Sequence, residues 1–181
     1  MKVAVLFADG FEEIEAVTPV DILKRAGVEV DMVGTTAMEI TGSHDITLQM
    51  DCQLEDIFVD DYDMVFLPGG LPGSHNLRDD DRVIEFIQDM NALGKFVTAI
   101  CAAPVALERA GILEGKRVTS YPSKEPEITS CDEYTGARVE VDGNIITGRG
   151  PGCVFEFSFA LCNALGLKDK AEELKKAMIV A

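Results

Sequence analysis

Three short apolar runs constrain this chain most: Lys2 to Ala8 (KVAVLFA), Tyr62 to Leu67 (YDMVFL) and Lys95 to Ile100 (KFVTAI). Each stops at a turn. Runs of six or seven residues rich in Val, Leu, Phe and Ile are too short for stable helices, and they fit strands buried on both faces. Because strands of this kind alternate here with segments of helical spacing, the predicted architecture is an open, mostly parallel sheet with helices on both faces. In such sheets ligands sit beyond the carboxyl ends of the strands. Three segments converge there: Asp9 to Glu15 after the first run, Pro68-Gly69-Gly70 after the second, and Cys101-Ala102 after the third.

The rest of the chain reads consistently with that frame. Helical spacing runs from Glu12 to Ala26 with Gly27 as its stop, and Pro19 is expected to kink this helix or mark a second start. Glu29 to Gly34 is a strand. Residues 38–51 alternate around Gly-Ser-His-Asp, which predicts a small hairpin or an extended excursion off the main sheet. Asp79 to Leu93 reads as one amphipathic helix and Ala102 to Ala110 as another, with Gly94 and Gly111 ending them. Arg117 to Ser120 is a short strand. Pro122 and Pro126 make 121–134 loop with a short helix, and Arg138 to Thr147 is a hairpin turning at Asp142-Gly143. Helices are expected over Cys153 to Leu165 and Asp169 to Met178. With 181 residues and neither repeats nor linkers, residues 1–181 are expected to form a single domain.

Charge and cysteine usage narrow the function classes. Thirty-two acidic residues against 16 basic ones give a net charge of −16, which argues against a nucleic-acid or anionic-membrane partner. No apolar run approaches a bilayer's thickness, and the N-terminus reads as a strand and turn rather than a signal peptide, so a cytoplasmic protein is expected. The five cysteines, Cys52, Cys101, Cys131, Cys153 and Cys162, show no CxxC spacing, and only His44 and His75 are available as imidazole ligands. Neither a disulfide framework nor a metal site is indicated.

Cys101 is the first candidate for chemistry. In TAICAAPVAL (Thr98 to Leu107) an apolar strand turns straight into a helix at this residue, where unpaired N–H groups and the positive helix end favour a thiolate. A buried thiol filling a packing gap is the equal alternative. The glycines at 69 and 70 let backbone approach closely, and the amides of Gly70 and Ala102 are placed to receive a developing oxyanion. Glu12 and Glu13 read as solvated first-turn acids. Glu15, one turn further, faces the sheet, where burial would keep it protonated and able to donate to a thiolate. No histidine adjoins Cys101, so proteolysis is disfavoured. His44 and His75 read as surface residues by default; Arg149 divides evenly between an anion contact and a loop anchor. Cys153 opens a later helix and is the rival thiol, whereas Cys52, Cys131 and Cys162 carry no signal of chemistry.

Taken together, FADGFEEIEAVTPVDILKRAG, FLPGG, AICAAPVAL, the Val-Thr strand before Tyr121-Pro122, and TGRGPG followed by FEFSFALCNAL resemble the DJ-one/ThiJ/PfpI superfamily, most closely its DJ-one (Parkinson-disease protein, YajL-like) branch. The resemblance spans essentially the whole chain in order. It implies a flavodoxin-like three-layer α/β sandwich and a homodimer. It also implies that Cys101 is the reactive, oxidisable cysteine at a strained elbow, with Glu15 the protonated glutamate beside it and Gly70 and Ala102 supplying pocket amides.

The implied activities are cofactor-independent conversion of methylglyoxal to lactate, deglycation of early glyoxal adducts, and oxidative-stress protection through a cysteine sulfinate. The leading expectation is an enzyme acting on a small aldehyde or glycated substrate. The alternative is a non-catalytic stress sensor or chaperone. Two departures stand out: Tyr121 occupies the position of an active-site histidine in many relatives, and a phenol with pKa near 10 is a poor base at neutral pH. His44 stands where animal relatives carry an arginine, which weakens any anion site shared with a dimer partner or makes it pH-dependent.

Overall fold

Strand β1 (Lys2–Phe7) serves two cores at once: Val3, Val5 and Phe7 enter one, Ala4 and Leu6 the other, as the two-residue period of a strand requires. In the computed structural model, which describes residues 1–180, the chain continues through α1 (Glu13–Arg25) into β2 (Glu29–Gly34). A hairpin of β3 (Glu39–Thr41) and β4 (Thr47–Gln49) forms a separate small sheet, and β5 (Cys52–Gln53) returns to the edge of the main one. Then follow β6 (Met64–Leu67), α2 (Gly73–Asp79), α3 (Asp81–Ala92), β7 (Phe96–Ile100) and α4 (Pro104–Arg109). A short pair, β8 (Arg117–Val118) with β9 (Glu133–Tyr134), precedes the hairpin β10 (Val139–Asp142) and β11 (Ile145–Gly148). Helices α5 (Val154–Ala164) and α6 (Lys168–Ala177) complete the order.

The main sheet has seven strands in the order β10-β11-β7-β6-β1-β2-β5, and only the β10–β11 pair is antiparallel. One face is covered by α1, α5 and α6 through Ile22, Leu23, Phe157, Leu161 and Ala171; the other by α2, α3 and α4 through Leu77, Val83, Ile87 and Leu107. This is the flavodoxin-like three-layer fold. Strands β7, β6 and β1 are consecutive neighbours, so the three segments beyond their carboxyl ends lie side by side. No helix among the described residues is long and apolar enough to cross a membrane.

Several local expectations need correction. The helix predicted from Asp79 to Leu93 is α3, and a second helix that the sequence did not signal, α2, precedes it: Asp80 ends α2 and its carboxylate accepts from Arg82 N–H at 3.0 Å to cap α3. Helix α2 escapes periodicity because GSHNLRD holds one large apolar residue, Leu77. The helix after Cys101 starts at Pro104, not Ala102, since Cys101 has a positive φ that no right-handed helix accommodates. α1 runs through Pro19 as one helix, and burial of that ring on the core offsets its missing N–H. β8 ends at Val118, and Cys153 closes a short 3-10 turn (Pro151–Cys153) ahead of α5.

Candidate active site

The elbow forms where β7 runs out. Cys101 has φ of 63°, a conformation that costs a non-glycine residue roughly 1–2 kcal/mol. Two backbone bonds hold it: Cys101 N–H donates to Gly148 C=O at 2.8 Å, and Tyr121 N–H donates to Cys101 C=O at 2.6 Å. The first is supplied by β11, the second by the loop after β8, so tertiary structure imposes the strain. The side chain is buried at 9% exposure and borders a cavity of about 320 Å³, with Glu12, Glu15, Gly70, Ala102, Tyr121 and Lys124 among its other walls.

Gly69 is what allows a carboxyl and the thiol to share one corner. A Cβ on Gly69 would lie 2.2 Å from Glu15 Oε2 and 2.6 Å from Cys101 Cβ. Gly70, with φ of 92°, is equally confined, since a Cβ there would lie 2.3 Å from the backbone nitrogen of Glu12. That crowding follows from Glu12 N–H donating to Gly69 C=O at 2.9 Å, which ties the start of α1 to the end of β6.

Glu15 is wholly buried, and neither of its oxygens has a hydrogen-bond partner of acceptable geometry. Among the described residues only Ser74 Oγ shares that condition. Burial pushes the Glu15 carboxyl up to about 7; the charge of Glu12 adds to the rise, while the Cys101 thiol and the Gly69 N–H oppose it. Cys101 is itself raised, by burial first and then by the Glu15 charge, against the pull of the Gly70 and Ala102 N–H groups. This reverses the direction expected from a helix end, because the helix begins three residues later and desolvation outweighs the amides. The two acids repel a second negative charge, so ionising one holds the proton on the other. With the proton on Glu15, the charge that most directly opposes a Cys101 thiolate is gone.

Tyr121 borders the same cavity with its ring 46% exposed. Lys124, which carried no sequence signal because it sits in a proline-broken loop, is buried against the cavity. Its Nζ donates to Glu127 Oε1 at 2.6 Å and to His75 Nε2 at 2.9 Å. His75 is therefore not a free surface residue: burial and the Lys124 charge lower its pKa, which leaves it neutral and accepting.

Glu13 also departs from expectation. It is buried, not solvated, and its carboxylate accepts from His44 N–H at 2.7 Å and meets His44 Nδ1 at 2.9 Å, fastening the β3–β4 hairpin to α1. That bond raises the pKa of His44, whose exposed ring lies outside the lining of the Cys101 cavity. Glu12, Glu13 and His44 offer ligand atoms within 4.8 Å of one another, the one grouping of metal-ligating type among the described residues. Arg149 and Cys153 are not brought to Cys101; both line a neighbouring cavity. There Arg149 donates to Gly136 C=O, and the buried Cys153 thiol donates to Gly150 C=O at 3.1 Å.

A family model described as the DJ-1/PfpI family matches residues 1–164. The chain is 38% identical to the Parkinson disease protein 7 homolog of Danio rerio, over 99% of this chain and 97% of that one. It is 36% identical to a protein of Pyrococcus abyssi named a deglycase, over 86% of this chain and 93% of the relative. The crystal structure of Drosophila melanogaster DJ-1beta superposes with a TM-score of 0.95 at 35% identity, covering 99% of this chain and 98% of that one. With that match over residues 1–164 and a 38% identical relative aligned nearly end to end, the chain belongs to the DJ-1/PfpI family.

Proposed function

We propose that the protein is a cysteine-dependent stress-protection enzyme that converts reactive 2-oxoaldehydes to 2-hydroxy acids, or removes their early adducts. It works as a cytoplasmic homodimer without metal or organic cofactor. The observation that carries this reading is Glu15: a wholly buried carboxyl with both oxygens unpartnered, titrating near neutrality and crowded against the elbow thiol.

The steps follow from that pair. The Cys101 thiolate adds to the aldehyde carbon, and the resulting alkoxide, facing the amides of Gly70 and Ala102, takes the proton of Glu15 to give a hemithioacetal. Glu15, now a carboxylate, removes the hydrogen of that carbon as a proton and returns it to the adjacent former ketone carbon, while the hemithioacetal hydroxyl proton passes to the former ketone oxygen. The aldehyde carbon is thereby oxidised to a thioester as its neighbour is reduced to a carbinol, so no external redox partner enters. Water cleaves the thioester, releasing the 2-hydroxy acid and the thiolate, and its remaining proton returns to Glu15. The Pyrococcus relative named a deglycase supports the adduct-removing form of this reading. Exposed Ile14 and Val17 on α1, with exposed Ile46 of the hairpin, whose backbone N–H reaches Glu13, supply an apolar surface for the second copy.

A second reading is a redox sensor in which Cys101 is oxidised to sulfinate, favoured by the same amides and by a carboxyl able to donate to the sulfinate oxygen. Lactate formation from methylglyoxal in amine-free buffer separates the two. Turnover abolished in Cys101→Ser and retained in Cys153→Ser supports the enzyme. Absence of turnover in the wild type, with Cys101 gaining two oxygen atoms under peroxide, supports the sensor.

A further inference from the structure

Two cavities meet at Tyr121. One contains Cys101; the other, about 340 Å³, is lined by Arg138, Arg149, Gly150, Gly152 and Cys153, and Tyr121 and Pro151 border both. The connection is short: Tyr121 N–H is bonded to Cys101 C=O, while its ring lies 3.4 Å from where a Cβ on Gly150 would stand. Nothing lies within 4 Å of a Cβ built on Gly152, so the floor beyond the ring is open.

The charge of this second cavity runs against that of the chain. Acidic residues outnumber basic ones 32 to 16, yet the lining has two guanidinium groups and no carboxylate. Arg138 is committed, with Glu156 Oε2 at 2.7 Å and Gly152 C=O at 2.6 Å. Arg149 is not: among the described residues its acceptor is the Gly136 carbonyl, with no carboxylate salt bridge, which leaves its charge uncompensated and most of its donors unused. A planar guanidinium with spare N–H groups at a cavity wall is a receptor for a carboxylate or phosphate.

We infer that the second cavity is an anion subsite of the same cleft, and that the preferred substrates are 2-oxoaldehydes whose far end carries a carboxylate or phosphate. Arg149 holds the anionic end and the dicarbonyl reaches past Tyr121 to Cys101. This rests on the enzymatic reading for its chemistry, which is unchanged: aldehyde carbon oxidised, ketone carbon reduced, one water consumed.

The test has two arms. In the first, kcat/KM is measured for methylglyoxal, for a five-carbon 2-oxoaldehyde ending in a carboxylate, and for the three-carbon 2-oxoaldehyde phosphorylated at its far carbon. At least one anionic substrate is expected to exceed methylglyoxal by about tenfold, the size of one charge-assisted hydrogen bond. In Arg149→Gln that ratio falls to near one, and Arg149→Lys lies between. Which anion gains more identifies the carboxylate or the phosphate.

The second arm needs no turnover. The corresponding anionic 2-hydroxy acids should protect Cys101 from iodoacetamide at about tenfold lower concentration than lactate does, and Arg149→Gln should erase the difference. A wild-type ratio near one in both arms, or a preference untouched by Arg149→Gln, overturns the subsite. Failure of all turnover with the protection difference intact overturns only the enzymatic reading.

Discussion

Glu15→Gln removes an ionisable group from a place where the carboxyl is fully enclosed. Folding raises that carboxyl from 4.5 to about 7. Between those values the folded protein keeps a proton that the unfolded chain gives up, so the folded state binds more protons and stability falls as pH rises. The gap, at about 1.36 kcal/mol per pH unit, amounts to about 3 kcal/mol, all of it lost by the time pH has passed through the folded pKa. The variant has no such loss, although its buried amide carries a pH-independent cost of roughly 1–3 kcal/mol for donors without partners. Urea unfolding of both proteins at about pH 5 and about pH 8 separates the two effects, because titrating groups not coupled to Glu15 cancel in the difference. The variant is expected to gain about 2.5 kcal/mol on the wild type between the two conditions, a little less than the full gap because the unfolded carboxyl is already mostly ionised at about pH 5. A difference that stays flat would refute the raised carboxyl, and with it the claim that Glu15 holds a proton near neutrality.

Gly69→Ala forces a methyl group to 2.2 Å from Glu15 Oε2 and 2.6 Å from Cys101 Cβ; unfolding should show a loss of roughly 1–3 kcal/mol, and the rate of Cys101 alkylation should change with it. Lys124→Met removes one of the three causes that depress His75, which are burial and the Lys124 and Arg78 charges, so the His75 titration followed by NMR should move upward, while burial and Arg78 keep it below the ordinary value. In Glu13→Gln the His44 pKa, raised chiefly by that carboxylate, should fall back toward 6.5. Because a raised histidine stabilises the fold below 6.5 and ceases to do so as pH passes through its folded pKa, the hairpin contact should weaken with rising pH in the wild type and not in the variant.

The strands were legible because burial on both faces writes itself into consecutive residues, and Cys101 was legible because it ends such a run. The convergence of Asp9–Glu15, Pro68–Gly70 and Cys101 follows from sheet order alone, given that β1, β6 and β7 are neighbours. What remained hidden depends on partners distant in the chain. Glu13 looks like any first-turn acid until the hairpin 31 residues later lays the His44 N–H on it. Lys124 and His75 lie 49 residues apart, each in an irregular or weakly patterned segment, and only the packing of α2 against the loop after β8 makes them a pair. The direction of the Cys101 shift was missed for a related reason. A helix end is a local property that sequence displays, whereas desolvation is a property of everything packed around the thiol.

The Tyr121 position shows what the site must do without. Where a histidine would provide a second proton acceptor, this chain has a phenol, tied in place through its backbone N–H rather than through its side chain. On the proposed reaction, one carboxyl is then left to serve the alkoxide and the carbon-bound hydrogen in turn. A group can do this only if neither protonation state is strongly preferred, and burial to a pKa of about 7 meets that condition where an exposed glutamate at 4.5 does not. The Cys101 thiol and the Gly69 N–H pull the Glu15 carboxyl down, but burial outweighs them and sets the direction of the shift. Without a histidine, hydrolysis of the final thioester becomes the step with least assistance. If the enzymatic reading is right, a thioester on Cys101 should therefore accumulate in the steady state. Tyr121→His should shorten its lifetime and raise kcat more than it raises kcat/KM, whereas an unchanged kcat with no acyl mass on Cys101 would place the slow step earlier, at addition or proton transfer.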